Sequence, residues 1–147
     1  MRKRERGRGR GSVLNDTAEY ALRAVLYLAR QEDGDRIPAS QVADELDLPR
    51  NYLSKILRRL ARRGVLTSSR GPSGGFQLAG PTSELTLGDV LEPFYDLSVD
   101  DQCLLGRRAC SDDDPCVAHE RWAGMVGDFR AFFRETTVGE LVREEQR

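Results

Sequence analysis

Apolar residues recur at helical spacing near the start of the chain. The spacing of three or four residues predicts a first helix over about 16–30. Its apolar positions are Ala18, Leu22, Val25 and Ala29. Asp16, followed three residues later by Glu19, resembles a capping box that opens this helix.

Two further helical patterns follow, joined by a tight turn. They cover about 39–46 and 49–63, with the turn at 47–49 and Gly64 placed to end the second helix. The second helix has an apolar stripe, and its polar and basic residues lie mostly off that stripe. Two short helices of this kind, the second strongly basic, predict a helix-turn-helix. The candidate base contacts near its start are Asn51, Ser54 and Lys55.

Strand patterns at 65–68 and 76–78 flank a run of turn residues from Arg70 to Gly75. A hairpin after the second helix of such a motif is a wing, so residues 13–83 are predicted to form a winged helix-turn-helix domain. Arg70 and Ser73 lie in the hairpin tip and are candidate DNA contacts, since arginine suits a narrow minor groove.

The pattern changes after residue 83. A capped helix is predicted over about 86–95, a longer helix over about 117–135, and a short helix opened by a capping box at Thr137 and Glu140. The longer helix carries an apolar stripe that is too aromatic to remain in water, and we interpret it as a homodimer interface. Its members are Trp122, Met125, Val126, Phe129, Phe132 and Phe133. The expected class is mainly α, with residues 84–147 as the cysteine-loop and dimerisation region.

The formal net charge of −1 hides a strong division of charge along the chain. From residue 48 to 83 there are seven basic residues and no Asp or Glu, whereas 84–120 holds ten acidic residues and two basic ones. A solvated helix usually mixes signs, so the clustering favours contact with phosphate. The candidate phosphate contacts on the second helix of the motif are Arg50, Arg58, Arg59 and Arg62.

All three cysteines and the only histidine lie within 17 residues, in an acidic loop: Cys103, Cys110, Cys116 and His119. Thiolates and an imidazole so close together suit an iron–sulfur cluster or a Cys3His zinc site, and a thiol switch is the remaining alternative. The Cys116–His119 spacing of three places both side chains on one helix face, as in short metal motifs. Buried structural cysteines usually have apolar neighbours on regular elements, whereas these stand among Gly, Ser, Asp and Pro in an acidic loop.

Size and composition are those of one soluble domain with an oligomerisation region. No run approaches the roughly 18 apolar residues that a membrane span requires, and we expect a cytoplasmic protein. Residues 1–12 form a low-complexity basic tail that we expect to be disordered, either as an extra arm on DNA or as an over-extended start.

Several segments resemble the IscR/NsrR-type regulators of the Rrf-two superfamily. These are Glu-Tyr-Ala-Leu-Arg at 19–23, Tyr52-Leu53, Arg-Gly-Pro-Ser-Gly-Gly-Phe at 70–76, Thr-Val-Gly-Glu-Leu at 137–141, and the cysteine loop with Trp122. The resemblance covers about 13–142. It implies a homodimer that binds partly palindromic double-stranded promoter DNA and senses redox state, nitric oxide or cluster status, with repression as the expected mode.

The resemblance further implies an iron–sulfur cluster, with the [2Fe–2S] form favoured over [4Fe–4S] and zinc as the alternative. Cys103, Cys110 and Cys116 are the expected ligands, although the first gap between them is one residue longer than is common in the family. The fourth ligand is expected to be His119, or else Glu19 from the partner subunit.

Three other functions compete with this interpretation. One is a cluster-free family member regulated by a metabolite or a protein, and another is a zinc-binding interaction protein that does not bind DNA. Catalysis is disfavoured, because no phosphate loop, carboxylate pair or oxyanion signature accompanies the Cys116–His119 pair.

Overall fold

The computed structural model describes residues 13–97, 103–107 and 111–147. The helices and strands in these residues are α1 (Asp16–Ala29), α2 (Ala39–Leu46), α3 (Arg50–Arg62), β1 (Leu66–Ser69), β2 (Gly75–Leu78), α4 (Leu87–Leu91), α5 (His119–Glu135) and α6 (Val138–Glu145). A mainly helical chain with a helix-turn-helix followed by a two-stranded hairpin is a winged helix, so the predicted fold class is confirmed. The predicted basic tail, 1–12, lies outside the described residues.

The start of α1 differs from the sequence prediction by one residue. Asn15 is the N-cap, and its side-chain oxygen accepts a hydrogen bond from the Ala18 N–H at 2.8 Å. The predicted capping box of Asp16 and Glu19 is therefore wrong, because asparagine at 15 already satisfies this free N–H group. Glu19 instead pairs with Arg23 one turn later, with 3.9 Å between the carboxylate and the guanidinium.

The helix-turn-helix consists of α2 and α3, joined by three residues. Asp47 ends α2 in the left-handed conformation, with φ of 55°, which turns the chain sharply. Pro49 then serves as the N-cap of α3. The buried side chains of α3 are Leu53, Ile56, Leu57 and Leu60, as its apolar pattern predicted.

The wing is tied to the chain segment before α2. Strands β1 and β2 pair antiparallel, from Leu66 opposite Leu78 to Ser69 opposite Gly75. Phe76 also exchanges two backbone hydrogen bonds with Ile37, at 2.8 and 2.9 Å. Gly75 permits this close approach, because it has a φ of +153° and a Cβ there would lie 2.5 Å from the Ile37 carbonyl carbon.

Helix α4 is shorter than predicted. It is opened by a capping box between Thr86 and Asp89 and ends at Leu91, whereas the pattern predicted a helix to about residue 95. Pro93 accounts for the difference, since proline has no N–H with which to continue the helical hydrogen bonds. Phe94 and Tyr95 fold back onto α4, with their N–H groups donating to the Leu91 carbonyl.

The apolar stripe of α5 is divided between two environments. Val126 and Phe133 are only 5% and 6% exposed within the single chain. At the opposite edge of the stripe, Met125 and Phe132 are 56% and 51% exposed. The sequence assigned the whole stripe to a dimer interface, but Val126 and Phe133 have little surface left to offer a partner.

One apolar core joins the winged helix to the C-terminal helices. Leu53, Leu57 and Leu60 of α3 pack in the same cluster as Leu87 of α4 and Val138 of α6. Fully burying each such side chain stabilises the fold by about 1.5–3 kcal/mol. The core is therefore continuous across residue 83, and the proposed division into 13–83 and 84–147 stays a prediction about organisation.

Candidate nucleic-acid interface and cysteine loop

Helix α3 presents a polar face directly opposite its buried one. At about 100° per residue, four exposed side chains fall within roughly 60° of one another on the side away from the core. They are Asn51, Lys55, Arg58 and Arg62. We call these four residues the α3 face. They combine one side chain that can read base edges with three cations that can contact phosphate or bases.

Two other predicted phosphate contacts on α3 are engaged within the chain. Arg50 forms a bidentate ion pair with Asp44 of α2, at 2.9 and 2.7 Å, and this contact raises the pKa of the Arg50 guanidinium. Segment 48–83 contains no acidic residue, but α2 supplies one from outside it. The guanidinium of Arg59 lies 5.3 Å from the centre of the Phe94 ring, within cation–π range.

The wing carries the remaining candidate DNA contacts. Arg70 and Ser73 are both exposed at the tip between β1 and β2. Ser54 is half-buried and flanks the α3 face. The structure thus places a cationic helix face and an arginine-bearing hairpin in one winged-helix unit, which is the arrangement that docks a helix in the major groove and a wing beside it.

A contact between α1 and α3 holds the orientation of the latter. The hydroxyl groups of Thr17 and Tyr52 are hydrogen-bonded, and the rings of Tyr20 and Tyr52 meet edge to face with centres 5.8 Å apart. Sequence reasoning did not assign these residues a role. Their spacing carries no signal of its own, since the contact exists only once α1 and α3 pack together.

In the cysteine loop, two of the predicted ligands lie together. The sulfur atoms of Cys103 and Cys116 are 3.8 Å apart, well beyond the length of a disulfide bond. Two thiolates on one tetrahedral metal, each about 2.3 Å from it, would be about 3.8 Å apart. The pair therefore fits two ligands of a single iron or zinc ion.

The thiol of Cys103 is in an environment that favours its ionised form. Hydrogen bonds from the backbone N–H groups of Arg107 and, secondarily, Leu105 lower the pKa of the Cys103 thiol from its ordinary value. A thiolate is the form that ligates metal.

His119 starts α5 and contacts a carboxylate that sequence reasoning did not single out. Its Nε2 lies 2.7 Å from an oxygen of Asp112. If Nε2–H donates to that carboxylate, Nδ1 carries the lone pair, which is the usual arrangement of a metal-ligating histidine. Asp112 is one of three consecutive aspartates at 112–114, and nothing in the sequence distinguishes it from the other two.

Two further predicted ligands, Cys110 and Glu19, remain to be accounted for. Cys110 lies outside the described residues. Glu19 is on α1, paired with Arg23, and its proposed role across a dimer stays a prediction. Among residues 13–97, 103–107 and 111–147, no three His, Cys, Asp or Glu side chains come together as a metal-binding group.

The sequence matches the profile of a known protein family over most of its length. The profile of the Rrf2 family, described as an iron-dependent transcriptional regulator, matches residues 14–144. The chain belongs to the Rrf2 family. This confirms the resemblance drawn from the motifs, and it makes the chain a transcriptional regulator rather than an enzyme.

Several Rrf2 relatives resemble the chain over most of its length. A protein named as an HTH-type transcriptional regulator of Aquifex aeolicus is 35% identical over 137 residues, covering 92% of this chain and 94% of that protein. The HTH-type transcriptional regulator IscR of Escherichia coli is 29% identical over 133 residues, covering 90% of this chain and 82% of the relative.

Solved structures share the fold at lower identity. CymR of B. subtilis, described as the global cysteine regulator, has a TM-score of 0.72 at 21% identity, covering 89% of this chain and 96% of CymR. IscR of T. potens has a TM-score of 0.72 at 18% identity, covering 92% of this chain and 89% of that one. Among the described residues, none of the helices combines the length and apolar content required to span a bilayer.

Proposed function

We propose that this Rrf2 protein is a homodimeric, cytoplasmic repressor that binds promoter DNA and whose affinity for DNA depends on an iron–sulfur cluster in the cysteine loop. The observation that carries the cluster assignment is the 3.8 Å separation of the Cys103 and Cys116 sulfurs. The family's description as iron-dependent supports iron over zinc.

The α3 face is the proposed DNA-reading surface. With α3 in the major groove, Asn51 and Lys55 near its start can reach base edges, and Arg58 and Arg62 further along can contact phosphate. Arg70, at the wing tip, is suited to an adjacent minor groove. Arg50 stays bound to Asp44 in this scheme and contributes by fixing the start of α3 rather than by free charge.

The proposed cluster ligands are Cys103, Cys110 and Cys116, with His119 as the fourth and Glu19 of the partner subunit as the alternative. A [2Fe–2S] cluster is the favoured form. When bound, it supplies a redox-active group that oxidants and nitric oxide can attack. The chain's own contribution is to converge the thiolates, to favour ionisation at Cys103, and to orient the His119 ring through Asp112.

The exposed edge of α5 supports the homodimer. Met125 and Phe132 stand seven residues apart on one face, with Trp122 and Phe129 completing a 3-4-3 spacing beside them. This is the spacing of a coiled-coil seam, and apolar side chains so exposed gain from being covered. A second copy of the chain presents the identical seam, as a two-fold interface requires.

Salt-dependent DNA binding tests the interface assignment. Affinity for a promoter fragment should fall with salt by a slope of about −0.9 per phosphate contacted, and Arg62→Gln should reduce the slope's magnitude by about one contact. Asn51→Ala should instead relax sequence preference. The matched control is Arg143→Gln on α6, which removes the same charge away from the α3 face. Equal slopes for the wild type and Arg62→Gln would refute the assignment.

A second comparison tests the dependence on the cluster. Protein purified without oxygen and the same protein stripped of metal should differ in affinity for the promoter fragment. An allosteric effector typically shifts affinity by about 5- to 150-fold, so fluorescence anisotropy resolves the expected change. Identical affinities would leave a DNA-binding Rrf2 protein that does not sense a cluster, as in the cluster-free alternative.

A further inference from the structure

The segment that follows α4 contacts both helices that set the DNA-binding geometry. Phe94 is half-buried against the core, three residues after the end of α4. Its ring lies beneath the Arg59 guanidinium of α3, with 5.3 Å between the guanidinium carbon and the ring centre. Its carbonyl accepts a hydrogen bond from the side-chain NH2 of Asn15 at 3.0 Å.

The side-chain carboxamide of Asn15 binds two parts of the fold at once, the start of α1 and the segment after α4. Its oxygen caps α1 through the Ala18 N–H, while its nitrogen holds the Phe94 backbone. The next residue reinforces the link, since the Tyr95 hydroxyl lies 3.5 Å from the Val13 carbonyl, which can accept a hydrogen bond from it. The position of residue 94 is therefore coupled to the start of α1 and to the flank of α3.

The same segment is connected to the cysteine loop. Along the chain, Cys103 follows nine residues after Phe94. Across the fold, α4 is joined to the end of α5 by the hydrogen bond from the Leu87 N–H to the Thr136 carbonyl, at 3.0 Å. His119 begins α5 at its opposite end, and Cys116 lies three residues before it, outside the helix. One side of the loop is thus joined to the Phe94 segment along the chain, and the other side is joined to α4 through α5.

We propose that Phe94 is a positioning residue that couples the state of the cysteine loop to helix α3 through its ring contact with Arg59. A cation–π contact acts within about 6 Å of the ring centre. Since the present separation is 5.3 Å, a ring displacement of about 1 Å carries the guanidinium out of this range and weakens the contact. Arg59 flanks the α3 face, so its release changes where its positive charge can lie beside bound DNA. This inference rests on the proposed cluster-dependent function.

The test is the fold-difference in DNA affinity between cluster-loaded and metal-free protein, which we call the coupling ratio. Phe94→Leu keeps an apolar side chain but removes the ring, and Arg59→Gln removes the cation from the other side. The free energy of an exposed cation–π contact corresponds to about a two- to fivefold change in an equilibrium constant. Each variant should therefore move the coupling ratio toward one by about that factor. The DNA affinity of each metal-free variant, measured separately, shows whether the Phe94–Arg59 contact affects DNA binding in the cluster-loaded or in the metal-free form.

Two controls isolate the coupling from simple loss of charge or packing. Phe94→Tyr retains the ring and should keep the wild-type coupling ratio. Arg62→Gln removes a charge from the same helix without touching Phe94, and it should weaken both forms equally. Iron content and the visible spectrum of the variants should match the wild type. If Phe94→Leu fails to load, Arg59→Gln carries the test, because it alters only an exposed side chain.

The outcomes separate this inference from the function on which it rests. A wild-type coupling ratio of one contradicts the proposed function and the inference together. A wild-type ratio above one that both Phe94→Leu and Arg59→Gln retain overturns the inference alone and leaves the proposed function standing. A ratio that falls in both variants and is kept in Phe94→Tyr supports it.

Discussion

Gly75 offers the sharpest test of how the wing is attached to the domain. In Gly75→Ala, the added Cβ would lie 2.5 Å from the Ile37 carbonyl carbon, 2.6 Å from its oxygen and 2.8 Å from the Pro38 nitrogen. All three are backbone atoms, so the clash cannot be relieved by rotating a side chain. The backbone φ of +153° is also one that alanine rarely adopts.

The expected cost follows from these two effects. A non-glycine residue held in a sparsely populated backbone conformation costs about 1–3 kcal/mol. Escaping the clash by separating the strands would sacrifice the two Ile37–Phe76 backbone hydrogen bonds, each worth about 0.5–1.5 kcal/mol. We therefore expect Gly75→Ala to lose about 2–4 kcal/mol. At about 2–4 °C per kcal/mol for a chain of this size, Tm should fall by about 5–15 °C.

Thermal unfolding followed by circular dichroism measures this loss. Protein concentration and metal content must be held equal, because binding and association both shift Tm. Gly80→Ala is the matched control, since a Cβ at Gly80 meets nothing within 4 Å. If Gly75→Ala and Gly80→Ala unfold at the same temperature, the argument that the Ile37–Phe76 contact requires glycine is wrong.

Three further outcomes are expected. Phe132→Glu, which places charge on the exposed edge of α5, should give monomers or aggregates by light scattering, and an unchanged dimer mass would show that this edge is not the interface. Hydrogen bonds from the backbone N–H and hydroxyl of Thr137 lower the pKa of Glu140. The stability that this carboxylate contributes should therefore be present above its ordinary pKa of 4.5 and be lost as pH falls through the lowered pKa. Unfolding of the wild type and Glu140→Ala across that pH range measures this contribution, and a pH-independent difference between them would contradict the capping assignment. For the fourth cluster ligand, His119→Ala should alter the visible spectrum whereas Glu19→Ala should not, and the reverse result would assign the ligand to the partner subunit.

The parts of the fold set by local pattern were predictable from the sequence. In α3, the spacing of Leu53, Ile56, Leu57 and Leu60 identifies the buried side, and the polar face opposite it follows from helix geometry. The wing was predictable because glycine and proline cluster at its tip. The early end of α4 was also signalled, by Pro93, although the apolar pattern continuing to Phe94 obscured it.

Apart from the cap of α1 and the end of α4, the differences from the sequence prediction concern contacts between elements. Asp44, on the preceding helix, neutralises Arg50, and Phe94, far along the chain, engages Arg59, so counting charges within 48–83 overstated the free cations on α3. The division of the α5 stripe could not be predicted either. The same periodicity describes a side chain buried in its own chain, such as Phe133, and one left exposed, such as Phe132.

In the cysteine loop, sequence spacing suggested the ligands but not their separation. The convergence of Cys103 and Cys116 depends on how the loop folds between them, and no residue pattern encodes a distance of 3.8 Å. The contact of His119 with Asp112 is likewise a product of the loop's path. Candidate ligands could therefore be proposed from the sequence, whereas the proximity of Cys103 and Cys116 could not.

The most direct test of the cluster assignment is the metal content of protein purified without oxygen. The wild type should contain iron and acid-labile sulfide in equal amounts, with visible charge-transfer absorption, and Cys116→Ala should lose both the absorption and nearly all of the iron. Stoichiometric zinc without iron in the wild type, or a normal cluster in Cys116→Ala, would contradict the proposal.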